Sequence, residues 1–527
     1  MAKRVVAFFC VFLLLGGGLG LRILRLSLGE TVTTTSAEQS ERTYVLSQSR
    51  AGIYDRNGEK LVNEGGSWKL LVFPELLSTK TLAKLMEDPA FVEAARSLQP
   101  VVWEGDGTIQ KEEGVFPFRE PKRYRGDLAA HLIGYLRDGD GVAGLEKAYD
   151  EVLKNGAQRV TATYSVDGTG RLLPGETITV SVPDEEKKTG IVLTVDKRIQ
   201  AAAETVLKEN LEEGAVVVLD VGSGEIRAAA SAPGFEPGDI ATSLQKEGAP
   251  FLNRAFSAYS VGSTWKLVVA AAALEAGISP GRAYNCQSRI EVGGLTYKCH
   301  WEYGHGEIDM ETALRVSCNP YFIDLAEELG GEKILAMAKN LGFGMPTALG
   351  PDWNTAAGNL PSAKSLSSPT VLASFAFGQG TLLATPLQLA ALAAAIGNGG
   401  FAVTPKLVAG IYDENGVLEP TADYPPNRVM SEKTAKTLRK MMTAVVENGS
   451  GEKAKPKNGS AGGKTASAQT GQYREDGTEV IQGWFVGFYP AEEPRYAIAV
   501  LAEGKDSGGD YAAPVFRELC ERIGEIY

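Results

Sequence analysis

The sequence predicts a membrane-tethered chain of mixed α and β structure, and three observations carry that expectation. Lys3-Arg4 precede seventeen apolar or glycine residues, Val5 to Leu21, about 25 Å of helix at 1.5 Å per residue. A second apolar run follows Lys266, from Leu267 through a series of alanines to Leu274 and Glu275 with Gly277 as a stop, and reads as a buried helix of about four turns. Two strand-like runs, Lys464 to Gly471 and Gly483 to Phe488, enclose a turn rich in charge and glycine.

A cleavable signal peptide has a shorter apolar core and a small-residue cleavage site, and no such site follows Leu21. The expectation is an uncleaved anchor, with residues 1–4 as a cytoplasmic tip, 5–21 as the span and 22–47 as a tether that is Ser/Thr-rich from Thr31 to Ser40. Arg22 and Arg25 balance Lys3 and Arg4, so charge alone does not orient the span. At 527 residues, 44% hydrophobic and 22% charged, the remainder is globular and too long for one typical domain. Two domains are expected, 48–188 and 189–527. A net charge of −12 and a pI near 5.1 argue against nucleic-acid binding, which needs a basic patch. No phosphate loop of the G-x-x-x-x-G-K-[ST] type occurs, and no internal repeat is visible.

The chemistry is concentrated in three short elements. Ser263-Thr264-Trp265-Lys266 opens the apolar run after Lys266, so the serine and lysine share one helical face. A serine hydroxyl is a poor nucleophile until a base takes its proton, and a desolvated lysine can be that base. The helix start also places unpaired backbone N–H groups beside Ser263, where an oxyanion would develop. Taken alone, S-x-x-K reads equally as a capping serine with a lysine one turn on. The same pattern recurs at Ser243 to Lys246 and at Ser450 to Lys453, but glycine and proline around those copies signal turns rather than helix starts.

Ser317-Cys318-Asn319 is the one S-x-N in the chain, and Pro320 behind it is expected to end or turn a helix. Lys464-Thr465-Ala466-Ser467 starts the first strand-like run. The order S-x-x-K, S-x-N, K-T-G is the signature of penicillin-binding proteins and serine β-lactamases, and these three elements resemble it with alanine in the last place. Further landmarks in the same order resemble the class B, monofunctional penicillin-binding proteins: Leu193 to Asp196 with Gln200, Gly214 to Asp220, Asn253-Arg254-Ala255, Gly378-Gln379-Gly380, Thr385 to Gln388, and Ala512 to Phe516. Segments Arg50 to Gly58 and Gly144 to Asp150 resemble the pedestal (dimerisation-like) domain of that class, where Arg50 and Glu146 are expected as structural ion-pair partners.

The resemblance implies an α+β fold, an antiparallel sheet flanked by helices and preceded by the smaller pedestal. It implies a D,D-transpeptidase that cross-links peptidoglycan through an acyl-enzyme on Ser263 and binds β-lactams covalently. Lys266 and Ser317 would move protons, and Asn319 would bind the substrate side-chain amide. Lys464 and Thr465 would hold the terminal carboxylate, and the backbone N–H groups of Ser263 and Ser467 would form the oxyanion hole. Ala466 departs from the usual glycine, and its β-carbon could crowd the substrate. The implied partners are stem peptides on lipid-linked glycan strands, β-lactams, the membrane, a glycan polymerase of the SEDS type and other wall-synthesis proteins. The implied location is the cell membrane, single-pass, with the catalytic domain outside. Alternatives are a D,D-carboxypeptidase or β-lactamase-type hydrolase, or a catalytically weak β-lactam-binding scaffold.

No cofactor and no metal are expected. His131, His300 and His305 are the only histidines; His300 and His305 beside Cys299 have a spacing that metal could use, but a surface loop explains them as well. Cys286 and Cys299 bracket a hairpin-like Glu291-to-Tyr297 segment and could bond outside the cytoplasm.

Overall fold

The computed structural model of the chain describes residues 2–27, 40–96, 99–105, 111–168, 171–173, 177–183, 187–413 and 415–527. The tether segment from Thr31 lies outside the described residues except for Ser40. Near the N-terminus one helix, Ala2–Ser27, is long and apolar enough between Lys3 and Arg25 to cross a membrane. It is longer than the predicted span because the basic flanks at both ends continue the helix.

The chain forms two compact units. The first comprises Met1–Arg50, Gly65–Lys122 and Ala157–Lys187. Within it, Glu41–Ser49 and Thr179–Ser181 pair antiparallel on either side of Gln158–Ser165, and Ser67–Val72 lies between Val101–Gly105 and Val115–Glu120. Leu71, Phe73, Phe118, Val160, Ala162 and Tyr164 join the two sheets into one apolar cluster.

The second unit comprises Ala51–Glu64, Arg123–Gly156 and Lys188–Tyr527. Segments 51–64 and 123–156, assigned from sequence to the first domain, therefore lie in the second unit. The reason is long-range pairing that no local pattern announces: Gly52–Tyr54 runs parallel to Gly190–Leu193, and Leu132, Leu145 and Leu153 are fully buried in the same core cluster as the main sheet. Glu146 is buried there too, accepting from Arg123 Nε at 2.7 Å and Tyr124 Oη at 3.0 Å.

The main sheet has five strands: β1 (Gly214–Asp220), β2 (Ile226–Ala232), β3 (Gly462–Tyr473), β4 (Glu479–Tyr489) and β5 (Tyr496–Glu503), in the order β2-β1-β5-β4-β3. All neighbours are antiparallel. Six helices matter to it: α1 (Lys197–Asn210), α2 (Lys266–Glu275), α3 (Asn319–Leu329), α4 (Pro386–Gly397), α5 (Glu432–Asn448) and α6 (Ala513–Ile526). Both faces of the sheet are covered. Val217, Trp484, Val486 and Ala499 cluster with α2 and α4 on one side, while Val216, Val218, Phe485 and Val500 cluster with α1 and α6 on the other. Successive strand residues point to opposite faces, so a sheet buried on both sides reads as an unbroken apolar run, as in Val216 to Leu219. Local chemistry fixes the helix starts. Asp196 accepts from Arg198 N at 3.0 Å at the head of α1, and Thr385 with Gln388 forms a capping box at the head of α4.

Candidate active site

Ser263 sits in a tight 3₁₀ turn, Gly262–Trp265, that runs straight into α2. The turn lies against the edge strand β3. A β-carbon on Gly262 would stand 3.0 Å from that of Ala468 and 3.3 Å from that of Ala466, and φ at Gly262 is +54°, so glycine is required on both counts. Ser263 itself is half-buried. One turn on, Lys266 is fully buried, and its Nζ donates to Ser317 O at 2.7 Å, Ser317 Oγ at 3.1 Å and Asn319 Oδ1 at 2.7 Å. Its ammonium also lies 5.6 Å from the centre of the Phe322 ring. Burial draws its pKa down to about 7, because removal from water penalises the charged form.

The S-x-N element is a helix-to-helix joint. The helix Met310–Arg315 ends in a Schellman arrangement, with Cys318 N donating to Ala313 O at 2.9 Å and Ser317 N to Leu314 O at 3.2 Å. This puts Ser317 at the left-handed position, φ +56°, usually held by glycine. As expected of a helix ending or turning at Pro320, the preceding helix stops at Arg315, and Pro320 itself lies in the first turn of α3, where its missing N–H costs nothing and its fixed φ is already helical. Two helix ends thus meet on three residues, and the side chains of Ser317 and Asn319 are aimed at Lys266.

Lys464 reaches the same hydroxyl from the sheet. It is fully buried on β3, paired in register with Val486, and its Nζ donates to Ser317 Oγ at 3.0 Å and Thr465 O at 2.8 Å. Burial, reinforced by the charge of Lys266, holds its pKa well below the usual lysine range. With both amines on one oxygen, like-charge repulsion adds to desolvation and favours a neutral amine in the pair. As the sheet's edge, β3 leaves its outer backbone groups outside the ladder. Thr465 is held by Ser450, whose hydroxyl lies 2.8 Å from Thr465 Oγ1. The S-x-x-K serine rejected as a nucleophile is thus a neighbour of the third element, a role only the fold reveals. Ser467 is exposed, with its Oγ accepting from Gly508 N at 3.2 Å. Ala466 is 4% exposed and faces the Gly262 turn, so its methyl acts on the spacing between strand and serine turn rather than on open substrate space.

Cys286 and Cys299, which the sequence leaves open as a bonded pair, are free thiols. Cys286 lies instead with its Sγ 3.4 Å from that of Cys318. Cys286, Cys299, His305 and Cys318 converge, their ligand atoms all within 4.8 Å of one another. The hydrogen bond from Cys318 lowers the pKa of Cys299, and the same contact, with burial, raises that of Cys318.

A serine on a helix start, a buried amine one turn away and an antiparallel sheet edge alongside place the second unit among the active-site-serine acyl transferases. Residues 214–521 match the penicillin binding protein transpeptidase domain, and the chain belongs to that family, among its class B members. Over 551 residues it is 29% identical to stage V sporulation protein D of Bacillus subtilis, covering 96% of this chain and 82% of that protein. It is 27% identical to the peptidoglycan D,D-transpeptidase FtsI of Escherichia coli over 518 residues, 91% of this chain and 84% of FtsI. The crystal structure of penicillin binding protein 3 from Mycobacterium tuberculosis complexed with aztreonam superposes with a TM-score of 0.67 at 25% identity, covering 92% of this chain and 97% of that one. The fold is α+β, as expected.

Proposed function

We propose that this chain is a membrane-anchored D,D-transpeptidase in which Ser263 is acylated by a peptidoglycan stem peptide. The observation that carries the reading is the convergence of Lys266 and Lys464 on the Ser317 hydroxyl at 3.1 and 3.0 Å. Neutral Lys266 accepts the proton of Ser263 as Oγ attacks the carbonyl between the last two D-alanines. When neutral, Lys266 keeps its two N–H groups on Ser317 O and Asn319 Oδ1, and its lone pair, which at rest meets the Ser317 hydroxyl at 3.1 Å, turns to the proton of Ser263. The oxyanion forms against the backbone N–H groups of Ser263 and Ser467. The C–N bond then breaks, Ser317 passes the proton to the departing D-alanine amine, and an ester remains on Ser263. An amine of a neighbouring stem attacks the ester, the new amide forms, and the serine oxygen recovers a proton. Lys464 and Thr465 hold the terminal carboxylate, and Asn319 the substrate side-chain amide. A β-lactam enters the first step, but its leaving amine stays tethered in the opened ring and obstructs the second.

The helix Ala2–Ser27 is read as the anchor, with its N-terminus cytoplasmic and the catalytic unit outside, where the substrate lies. The glycan strands that carry the stems require a polymerase, and one of the SEDS type in the same membrane is the partner we infer, together with other wall-synthesis proteins. The reading is tested by intact-mass measurement of the full chain after penicillin, beside Ser263→Ala. The expected result is a stable adduct on the parent and none on the variant. An adduct that persists on the variant overturns the assignment of Ser263; a parent without adduct indicates a hydrolase if the drug is consumed and a scaffold if it is not.

A further inference from the structure

One cluster beside the site plays no part in the acyl transfer just described. Cys286 ends the strand Tyr284–Cys286, Cys299 directly follows the strand Leu295–Lys298, His305 directly precedes the strand Gly306–Ile308, and Cys318 caps α3. Four donors from four separate places meet with their ligand atoms within 4.8 Å of one another. Cys318 Sγ is 3.4 Å from Cys286 Sγ, and Cys299 Sγ is 3.5 Å from His305 Nδ1. In a tetrahedral zinc site with ordinary bond lengths, sulfur–sulfur edges are about 3.8 Å and sulfur–nitrogen edges about 3.6 Å.

We propose that Cys286, Cys299, His305 and Cys318 bind one zinc ion, and that the ion fixes the S-x-N turn to the two-stranded ribbons between residues 284 and 308. Simple packing gives no reason for an imidazole nitrogen to face a thiol among three sulfurs. A disulfide would consume two of the three thiols and leave the third, and the histidine, without a role. A donor set of three thiols and one imidazole is soft, and favours zinc over magnesium, calcium or manganese. Four protein ligands close the coordination shell, so the site is structural rather than catalytic. Its effect on chemistry runs through position. Cys318 lies between Ser317 and Asn319, the two residues whose oxygens receive Lys266, so a tethered Cys318 sets where both oxygens stand. The four ligands are positioning residues. This role in acylation rests on the reading of Ser317 and Asn319 above; the metal site itself does not.

The test uses the full chain purified in detergent under reducing conditions without chelator. Elemental analysis is expected to find about one zinc per chain, and Cys286→Ser and His305→Ala to retain roughly tenfold less or lower still, in line with the loss of a ligand. His300→Ala, altering an exposed neighbour, should keep its zinc. Substitution of the parent with Co²⁺ should give the intense visible absorption of a tetrahedral thiolate site, a readout that needs no variant to fold. Chelation should slow acylation by penicillin about tenfold, and Zn²⁺ should restore it; Cys286→Ser should be slow throughout and indifferent to both. The proposal is overturned if the parent neither holds nor takes up zinc while its thiols remain open to alkylation, if mass mapping finds a Cys286–Cys318 disulfide, or if acylation is unchanged after complete metal removal. A parent that binds zinc yet is not acylated would leave the metal site standing and remove the catalytic reading instead.

Discussion

The two walls that meet at the Ser317 hydroxyl, the strand bearing Lys464 and the S-x-N turn itself, are built by different means. Lys464 stands on a strand of a five-stranded sheet, registered residue by residue against β4, with apolar clusters on both faces. The S-x-N turn stands on two helix ends and on short ribbons whose residues, such as Arg289, Glu291 and Thr296, are mostly exposed. A strand in a doubly buried sheet holds its side chains by packing. A turn at the surface of the core must be held by specific bonds, and Lys266 supplies three of them. One lysine is therefore positioned by its wall, while the other helps to position the wall it faces.

Mutation can break this comparison at its strongest point first. Ser263→Ala should lower penicillin acylation by roughly 10⁴-fold or more, measured under single-turnover conditions, while Tm stays unchanged, because neither wall depends on the hydroxyl. Lys266→Met should cost about 10²–10⁴-fold in acylation and also lower Tm, since Ser317 and Asn319 lose their tie. Lys464→Met should lower acylation with little loss of Tm, since the sheet still holds the strand and a buried amine has been replaced by an apolar chain of similar length. Equal Tm losses in the two lysine variants would remove the distinction. The acid limb of the parent's acylation profile should lie near pH 7. Activity rises with pH through that value because Lys266 must lose its proton to act as a base.

Two smaller effects sharpen the picture. Glu204 on α1 accepts from Gln200 Nε2 and Ala129 N, and burial raises its pKa to about 7. The folded state therefore binds its proton more tightly than the unfolded state does. The stability this gives is full below the ordinary carboxylate range and is lost as pH rises toward 7. Glu204→Gln should accordingly gain Tm relative to the parent at pH 8 but not at pH 4, read by thermal unfolding across pH. Ala466→Gly should change acylation least, within about threefold, and reduce stability by about 0.5–1 kcal/mol, because its methyl is packed beneath the Gly262 turn.

Much of this was legible in the sequence. The serine helix and the core of β4 announce themselves as continuous apolar runs, and β3 by its place across a charged, glycine-bearing turn from β4. The S-x-N joint was half legible: its residues stand out, but Pro320 is compatible with either end of a helix, and only the 318-to-313 hydrogen bond decides. The cysteine cluster was not legible. Cys286 and Cys318 are 32 residues apart, and their meeting depends on how two ribbons fold back. Nor could the sequence move 51–64 and 123–156 into the second unit, since parallel pairing of Gly52–Tyr54 with Gly190–Leu193 leaves no local periodic trace.

The left-handed backbone at Ser317 has one further consequence. Glycine adopts that conformation freely, whereas a residue with a β-carbon carries a standing penalty of about 1 kcal/mol. A glycine there would have no oxygen to set between Lys266 and Lys464. Directed evolution that rewards only heat resistance would thus press on the same position that proton traffic requires to stay as it is. Libraries built on this scaffold should hold residue 317 constant and seek their gains elsewhere.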